Sequence, residues 1–298
     1  ILFIYYLLFI ITNGYRYKNI LYIYKMDNTQ DTRIGQINVW DDLNIKDELL
    51  RGIYAYGFET PSVIQKQSIH PMIHKHDIIA HAQSGTGKTG AFTVGALQQV
   101  DTTLDTTQIL ILAPTHELVN QIAGVVKSLG NFIDGLRIQT LIGGTSVRQD
   151  IELLQKSPPH IVVGTAGRIT DMINRRYLNI STVDLLVIDE ADEMLSSEFK
   201  EKVYHIFQFL QTNAQIAIFS ATLPVEVLEL TNKFMKNPVS ITIKNEDLSL
   251  DGITQVYIAL NENNDKYNVL KDIFEKITVS QCIIYMNNIN TITDLFNA

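Results

Sequence analysis

The chain has 298 residues, 46% of them hydrophobic, enough for one large domain or two smaller ones around a sizeable core. Its 32 acidic residues outnumber 24 basic ones, a net charge of −8, which excludes a nucleic-acid binder held by bulk positive charge but not a local basic or polar track. Cys282 is the single cysteine, so no internal disulfide can form and a reducing compartment, the cytoplasm, is expected.

Residues 1–12 are apolar or aromatic up to Thr12. As a helix they would span about 18 Å, short of a bilayer core of roughly 30 Å. Asn13, Gly14, Arg16 and Lys18 then interrupt the run, with no basic segment before it and no obvious small-residue cleavage site. The expectation is that residues 1–25 are a non-native leader from upstream translation and that Met26 is the start, with a membrane anchor as the alternative.

From Trp40 onward, short apolar runs alternate with helical patterns. Residues 77–82, 109–113, 138–142, 161–164, 185–189, 216–219 and 241–244 read as strands. Several are nearly continuous Ile, Leu and Val, as in strands buried on both faces. Residues 115–129 and 197–210 read as helices. This rhythm predicts an α/β domain with a parallel sheet and flanking helices, its functional residues at strand ends. A polar stretch, 245–252, reads as a linker closing a domain over 26–244. Residues 253–260, a helical 266–276, a buried-strand candidate at 281–286 and a helical 287–298 then read as the start of a second α/β unit, incomplete where the sequence stops.

Two segments carry the chemistry. Ala82-Gln83-Ser84-Gly85-Thr86-Gly87-Lys88-Thr89 lies between a strand and a helix, the context a P-loop needs. Gly85 and Gly87 let backbone N–H groups turn toward phosphate oxygens, and the helix N-terminus adds positive potential. Lys88 can bridge the β and γ phosphates, and the Thr89 hydroxyl can join a Mg²⁺ shell. The second segment, Asp189-Glu190-Ala191-Asp192, ends the strand Leu185-Leu186-Val187-Ile188. A carboxylate at the end of a buried strand beside the P-loop suits Mg²⁺, which gives Asp189 to the metal, through water, and Glu190 to the proton of the attacking water. Lys88, Asp189 and Glu190 are the catalytic candidates, and Thr89 and Asp189 the metal ligands. The histidines His70, His74, His76 and His81 offer no thiolate and spread over a helix end, a turn and a strand, so no metal site is expected there.

With both segments in place, the sequence resembles the DEAD-box RNA helicases of superfamily two, over residues 40–287. The wording from Leu50 to Glu59 and from Asp189 to Leu195 shares in the likeness. That resemblance implies a RecA-like P-loop NTPase fold followed by the start of a second RecA-like domain, with ATP and Mg²⁺ as cofactors. It identifies residues 57–65 as the Q motif, with Phe58 at the nucleotide and Gln65 reading the adenine edge through its paired donor and acceptor. Trp40 stands where the family has an aromatic packing near the adenine. Ser220-Ala221-Thr222 matches the segment coupling hydrolysis to strand separation, in which Ser220 and Thr222 bond Asp192.

The resemblance also implies an RNA track over Pro114, Thr115, Gly143, Gly144, Thr165 and Arg168, groups that grip the sugar–phosphate backbone without reading bases. The family has arginine where this chain has His116, proline where it has Ala166, and arginines where it has Ile289 and Asn290. His116 is mostly neutral at pH 7, which implies a weaker phosphate contact there. The function implied is RNA-stimulated ATP hydrolysis coupled to local unwinding of a duplex. A monomer is expected, with RNA and a translation-initiation scaffold protein as partners and no membrane. The family's arginine-finger segment is not in this sequence, so the chain as given is expected to bind ATP–Mg²⁺ and turn it over slowly. The alternative is a turnover-deficient fragment that occupies RNA or a scaffold.

Overall fold

The structure, a computed structural model, describes residues 37–196, 199–243, 258, 260, 265–276, 282–286 and 288–297. These fall in two units, residues 37–243 and residues 258–297, each taken by itself.

Seven strands organise the first unit: β1 (Ile78–His81), β2 (Ile109–Leu112), β3 (Ile138–Leu141), β4 (Ile161–Gly164), β5 (Leu185–Ile188), β6 (Gln215–Ser220) and β7 (Val239–Thr242). They form one sheet in the order β3-β4-β2-β5-β6-β1-β7, with parallel pairings throughout. Parallel neighbours need long crossovers, and helices supply them. Before β1 come α1 (Asp47–Ala55) and α2 (Val63–Ile73). After it come α3 (Lys88–Gln99), α4 (His116–Leu129), α5 (Val147–Lys156), α6 (Ala166–Asn174), the short α7 (Ala191–Met194), α8 (Lys200–Phe209) and α9 (Val225–Phe234).

The strands are apolar on both sides because both sides are covered. Leu110 and Leu112 of β2, Leu186 and Ile188 of β5, and Ile216 and Ile218 of β6 enter one core with residues of α6, α8 and α9. Side chains alternate along a strand, so Ile109, Ile111, Leu185 and Val187 point to the opposite face, and they too are buried. On α4, Val119, Ile122, Ala123, Val126 and Leu129 are buried at helical spacing, one stripe of an amphipathic helix.

The expected strands match to within a residue at either end, except β7. It runs over 239–242 rather than 241–244, because its register is set by pairing with β1, Ile78 opposite Val239, rather than by its own apolar run. Residue 244 lies outside the described residues, as do 197 and 198 at the start of the helix expected over 197–210, which is seen from Lys200.

In the second unit, α10 (Asp265–Lys276) and α11 (Ile289–Asn297) agree with the two helical readings. The buried strand expected over 281–286 is a correction. Residues 282–286 have no strand structure, and Ile283, Ile284 and Tyr285 are exposed. An apolar run becomes a strand only when a neighbour takes its N–H and C=O groups, and this unit has no strand among the described residues. The leader 1–25, the linker 245–252 and most of 253–260 lie outside them.

Candidate nucleotide and RNA site

The candidate residues lie at the carboxyl ends of the strands, where open α/β sheets bind ligands. The strand order sorts them into two sets. Neighbouring β5, β6 and β1 lead into Asp189, Ser220 and the loop 82–87, while neighbouring β3, β4 and β2 lead into Gly143, Thr165 and Pro114. The sequence reading set the acidic strand beside the P-loop. Strand β6 stands between β5 and β1, so Ser220 and Thr222 sit between the loop and the acids. Long side chains close the gap: the Lys88 ammonium donates to Glu190 Oε1 at 3.3 Å.

Gly87 has φ +101°, a conformation that disfavours any Cβ, and it turns the chain into α3. Lys88 begins that helix, so the loop lies on its positive end. Gln65 of α2 braces the loop from behind. Its side-chain amide donates to the Gly87 carbonyl at 3.2 Å, and its Oε1 accepts from the Ser62 N–H at 2.7 Å. The Ser62 hydroxyl donates to the Thr86 carbonyl at 2.9 Å. Gly90 allows this packing, because a Cβ there would come 2.6 Å from Gln65 Nε2 and 3.0 Å from the Phe58 ring. Gln65 is thus buried, with both ends of its amide engaged. Trp40 is fully buried and stacks on Phe58, with centroids 6.0 Å apart and planes inclined by 13°. Phe58 is the half-buried member of the pair, and Trp40 lies behind it.

On the acidic side, Asp189 is buried. Burial, reinforced by the Glu190 carboxylate and opposed by Lys88, pushes its carboxyl up to about 6. Asp189 Oδ1 accepts from the Glu190 N–H at 3.0 Å. Glu190 itself has φ +46°, a left-handed conformation that costs a non-glycine residue on the order of 1 kcal/mol and turns the strand sharply into α7. Asp192 is tied to β6: Thr222 Oγ1 donates to its carboxylate at 2.6 Å, and its N–H donates to Ser220 Oγ at 3.2 Å. Burial would raise the Asp192 carboxyl, but hydrogen bonds from Thr222 and Ser220 outweigh it and hold it below the usual range. Nε2 of His81, at the end of β1, bonds the Ala221 carbonyl at 2.9 Å and fastens the same loop. The Thr89 hydroxyl and the Asp189 carboxylate are hard oxygen donors, and a carboxylate held this far from charge gains from a nearby dication, so the set fits Mg²⁺.

In the second set, Thr115 caps α4 by accepting from the Leu118 N–H at 3.2 Å. Thr115, His116 and Gly144 are exposed, whereas Pro114 and Thr165 are buried. The His116 ring lies against Gly143, with Nε2 3.2 Å from where a Cβ would stand. Arg168 is buried. Its Nη1 donates to the Asp150 carboxylate and to Thr145 Oγ1, and its Nη2 to the Thr145 carbonyl at 2.8 Å. Burial pushes the Asp150 carboxyl up, against the opposing pull of Arg168. The residue expected to clamp phosphate therefore holds the 143–145 loop from within.

The DEAD/DEAH box helicase profile matches residues 62–231, more than half of the chain. The chain belongs to the DEAD/DEAH box helicase family. This DEAD-box chain is 48% identical over 265 residues to the ATP-dependent RNA helicase eIF4A of Chaetomium globosum, and equally to that of Pyricularia oryzae. The match covers 88% of the DEAD-box chain and 66% of each relative, so the chain spans just under two thirds of their length. Among solved structures, a DEAD box protein from the hyperthermophile Methanococcus jannaschii matches with TM-score 0.67 and 34% identity, over 80% of this chain and 63% of that one. S. cerevisiae Dbp5 bound to RNA and ADP BeF3 matches with TM-score 0.76 and 29% identity, over 87% of this chain and 66% of that one. The DEAD-box sheet is accordingly RecA-like.

Sequence reading named Ser62 only within the Q motif and His81 only as a rejected metal ligand, and it missed Thr145 and Asp150. Ser62-x-x-Gln65 has capping-box spacing, a signal that could have shown the glutamine bonded back to the start of α2. No local pattern marks Asp150, whose partner is 18 residues away.

Proposed function

We propose that the chain is the nucleotide-binding part of an ATP-dependent RNA helicase of the translation-initiation-factor type, in which ATP hydrolysis is coupled to local unwinding of a duplex. Residues 26–244 are its ATP-binding domain, 245–252 a linker and 253–298 the start of a second RecA-like domain. The Lys88–Glu190 contact at 3.3 Å, with Asp189 buried beside it, carries this reading, because it brings a phosphate-binding cation and a base into one space. The names of its eIF4A relatives support it.

ATP lies with its phosphates along Ser84, Gly85, Thr86, Gly87, Lys88 and Thr89, and its base toward Phe58 and Gln65, with Trp40 behind. Lys88 exchanges Glu190 for the β and γ phosphates. Glu190, released, orients the attacking water and takes its proton. Thr89 and, through water, Asp189 would hold Mg²⁺, which when bound would neutralise charge on the phosphates. Asp192, bonded by Ser220 and Thr222, passes the state of the site to β6. RNA crosses Pro114, Thr115, Gly143, Gly144 and Thr165 without base readout, and Arg168 keeps the 143–145 loop in place. The protein acts in the cytoplasm as a monomer, with an initiation scaffold as partner.

The test pairs ATP–Mg²⁺ titration with RNA-stimulated phosphate release, for wild type and Glu190→Gln. The variant is expected to keep ATP affinity and lose hydrolysis by about 10²–10⁴-fold. Collapse of ATP affinity in the variant would reduce Glu190 to a structural role, and a wild type that binds no ATP overturns the whole reading.

A further inference from the structure

A site that grips RNA by its backbone gains affinity from cations that are exposed and unpaired. The segments recognised in the sequence supply none. The His116 ring lies on Gly143, and Arg168 is buried with both Nη atoms bonded.

Lys202, on α8, is placed differently. Its Nζ is 3.8 Å from where a Cβ on Gly167 would stand. Gly167 lies in the first turn of α6, two residues after Thr165, so the ammonium stands beside the turn that faces the backbone track. Lys202 is exposed and makes no ion pair among the described residues. Lys200, on the same helix, is by contrast paired with Glu229 at 3.3 Å. The Lys202 ammonium lies 5.7 Å from the Phe199 ring centroid, a contact that steadies the side chain without neutralising it.

We infer that Lys202 is a further RNA-binding residue, donating to a backbone phosphate held at the Thr165–Gly167 turn. This rests on the proposed RNA track and adds to it an element, α8, that no RNA-binding segment of the sequence includes. The contact is to phosphate alone and carries no base preference.

The experiment measures binding of a fluorescent oligouridylate to the full chain, with a non-hydrolysable ATP analogue present, over a range of KCl concentrations. Wild type, Lys202→Gln and Lys202→Arg are compared, and the melting temperature of each is recorded with the ATP analogue. Loss of one phosphate contact on a single strand should flatten the slope of log K against log salt by about 0.7, and Lys202→Arg should restore it. A lysine that merely packs on Phe199 would shift the melting temperature and leave the slope alone, and an unchanged slope for Lys202→Gln overturns the inference. A wild type that binds ATP analogue but no RNA takes down the proposed RNA track itself, a result that cannot be mistaken for the first.

Discussion

Asp189 sits where charge is disfavoured, enclosed by the sheet and next to a second carboxylate, so that its carboxyl titrates at about 6 instead of 3.8. The folded chain therefore holds a proton between about pH 4 and 6 that the unfolded chain has released, and stability falls as pH rises through that window. Asn in this place keeps an Oδ1 acceptor for the Glu190 N–H and removes the buried charge. Nucleotide-free Asp189→Asn should be more stable than wild type by about 1–3 kcal/mol above pH 6, with the gap closing toward pH 4. Urea unfolding at a series of pH values checks this. A variant less stable than wild type at pH 7.5, or a gap independent of pH, would show that Asp189 is at ease as an anion without metal. The same carboxylate is the proposed Mg²⁺ ligand, so the gain in stability should come with loss of ATP–Mg²⁺ binding, the trade-off expected where a site is built for a ligand rather than for the fold.

Among the elements, the loop 143–145 is held by a brace between α5 and α6, the buried Arg168–Asp150 pair with Thr145. Removing one partner of a buried pair strands the other charge. Asp150→Ala should cost about 3–5 kcal/mol, whereas Asp150→Leu with Arg168→Met should recover most of that loss. A double-mutant cycle by urea unfolding decides, and additive losses would mean that the two side chains are not coupled. This brace was not legible in the sequence, because an arginine in a strand-to-helix turn looks the same whether it faces a phosphate or a buried aspartate. The sheet was legible for the opposite reason. Burial on both faces leaves continuous apolar runs, and six strands could be placed almost to the residue. Edge strand β7 and residues 282–286 were misplaced because pairing decides them: β7 takes its register from β1, and 282–286 have no partner strand among the described residues. The turn from β1 into α3 was legible because a tight strand-to-helix loop demands glycine at a left-handed position such as Gly87. Gln65 was expected at the adenine edge, and its bonds to Ser62 and Gly87 were not foreseen.

At the scale of the whole molecule, the proposed function has a chain of net charge −8 hold a polyanion. Local contacts release counterions and favour binding at low salt, while the overall field repels RNA most strongly in the same conditions. The two can be separated by distance. Asp47 and Glu48 are exposed at the start of α1, which packs through Gly52 against Leu129 at the far end of α4 from Thr115. A helix of that length puts them on the order of 20 Å from the RNA track. At such a distance each charge repels each phosphate by about 0.2 kcal/mol in water, and several phosphates sum to on the order of 1 kcal/mol. The Debye length is about 30 Å at 0.01 M salt and about 8 Å at 0.15 M, so this repulsion acts in the first condition and is screened in the second. Asp47→Asn with Glu48→Gln should therefore speed RNA association roughly two- to fivefold at about 0.01 M salt and leave it unchanged at about 0.15 M. Stopped-flow fluorescence with an oligouridylate measures the rate. An equal gain at both salts would mean that the two residues touch the RNA path directly. No gain at low salt would mean that the field at the track is set by nearby groups alone, in which case the acidic balance of the chain has no bearing on how it meets RNA.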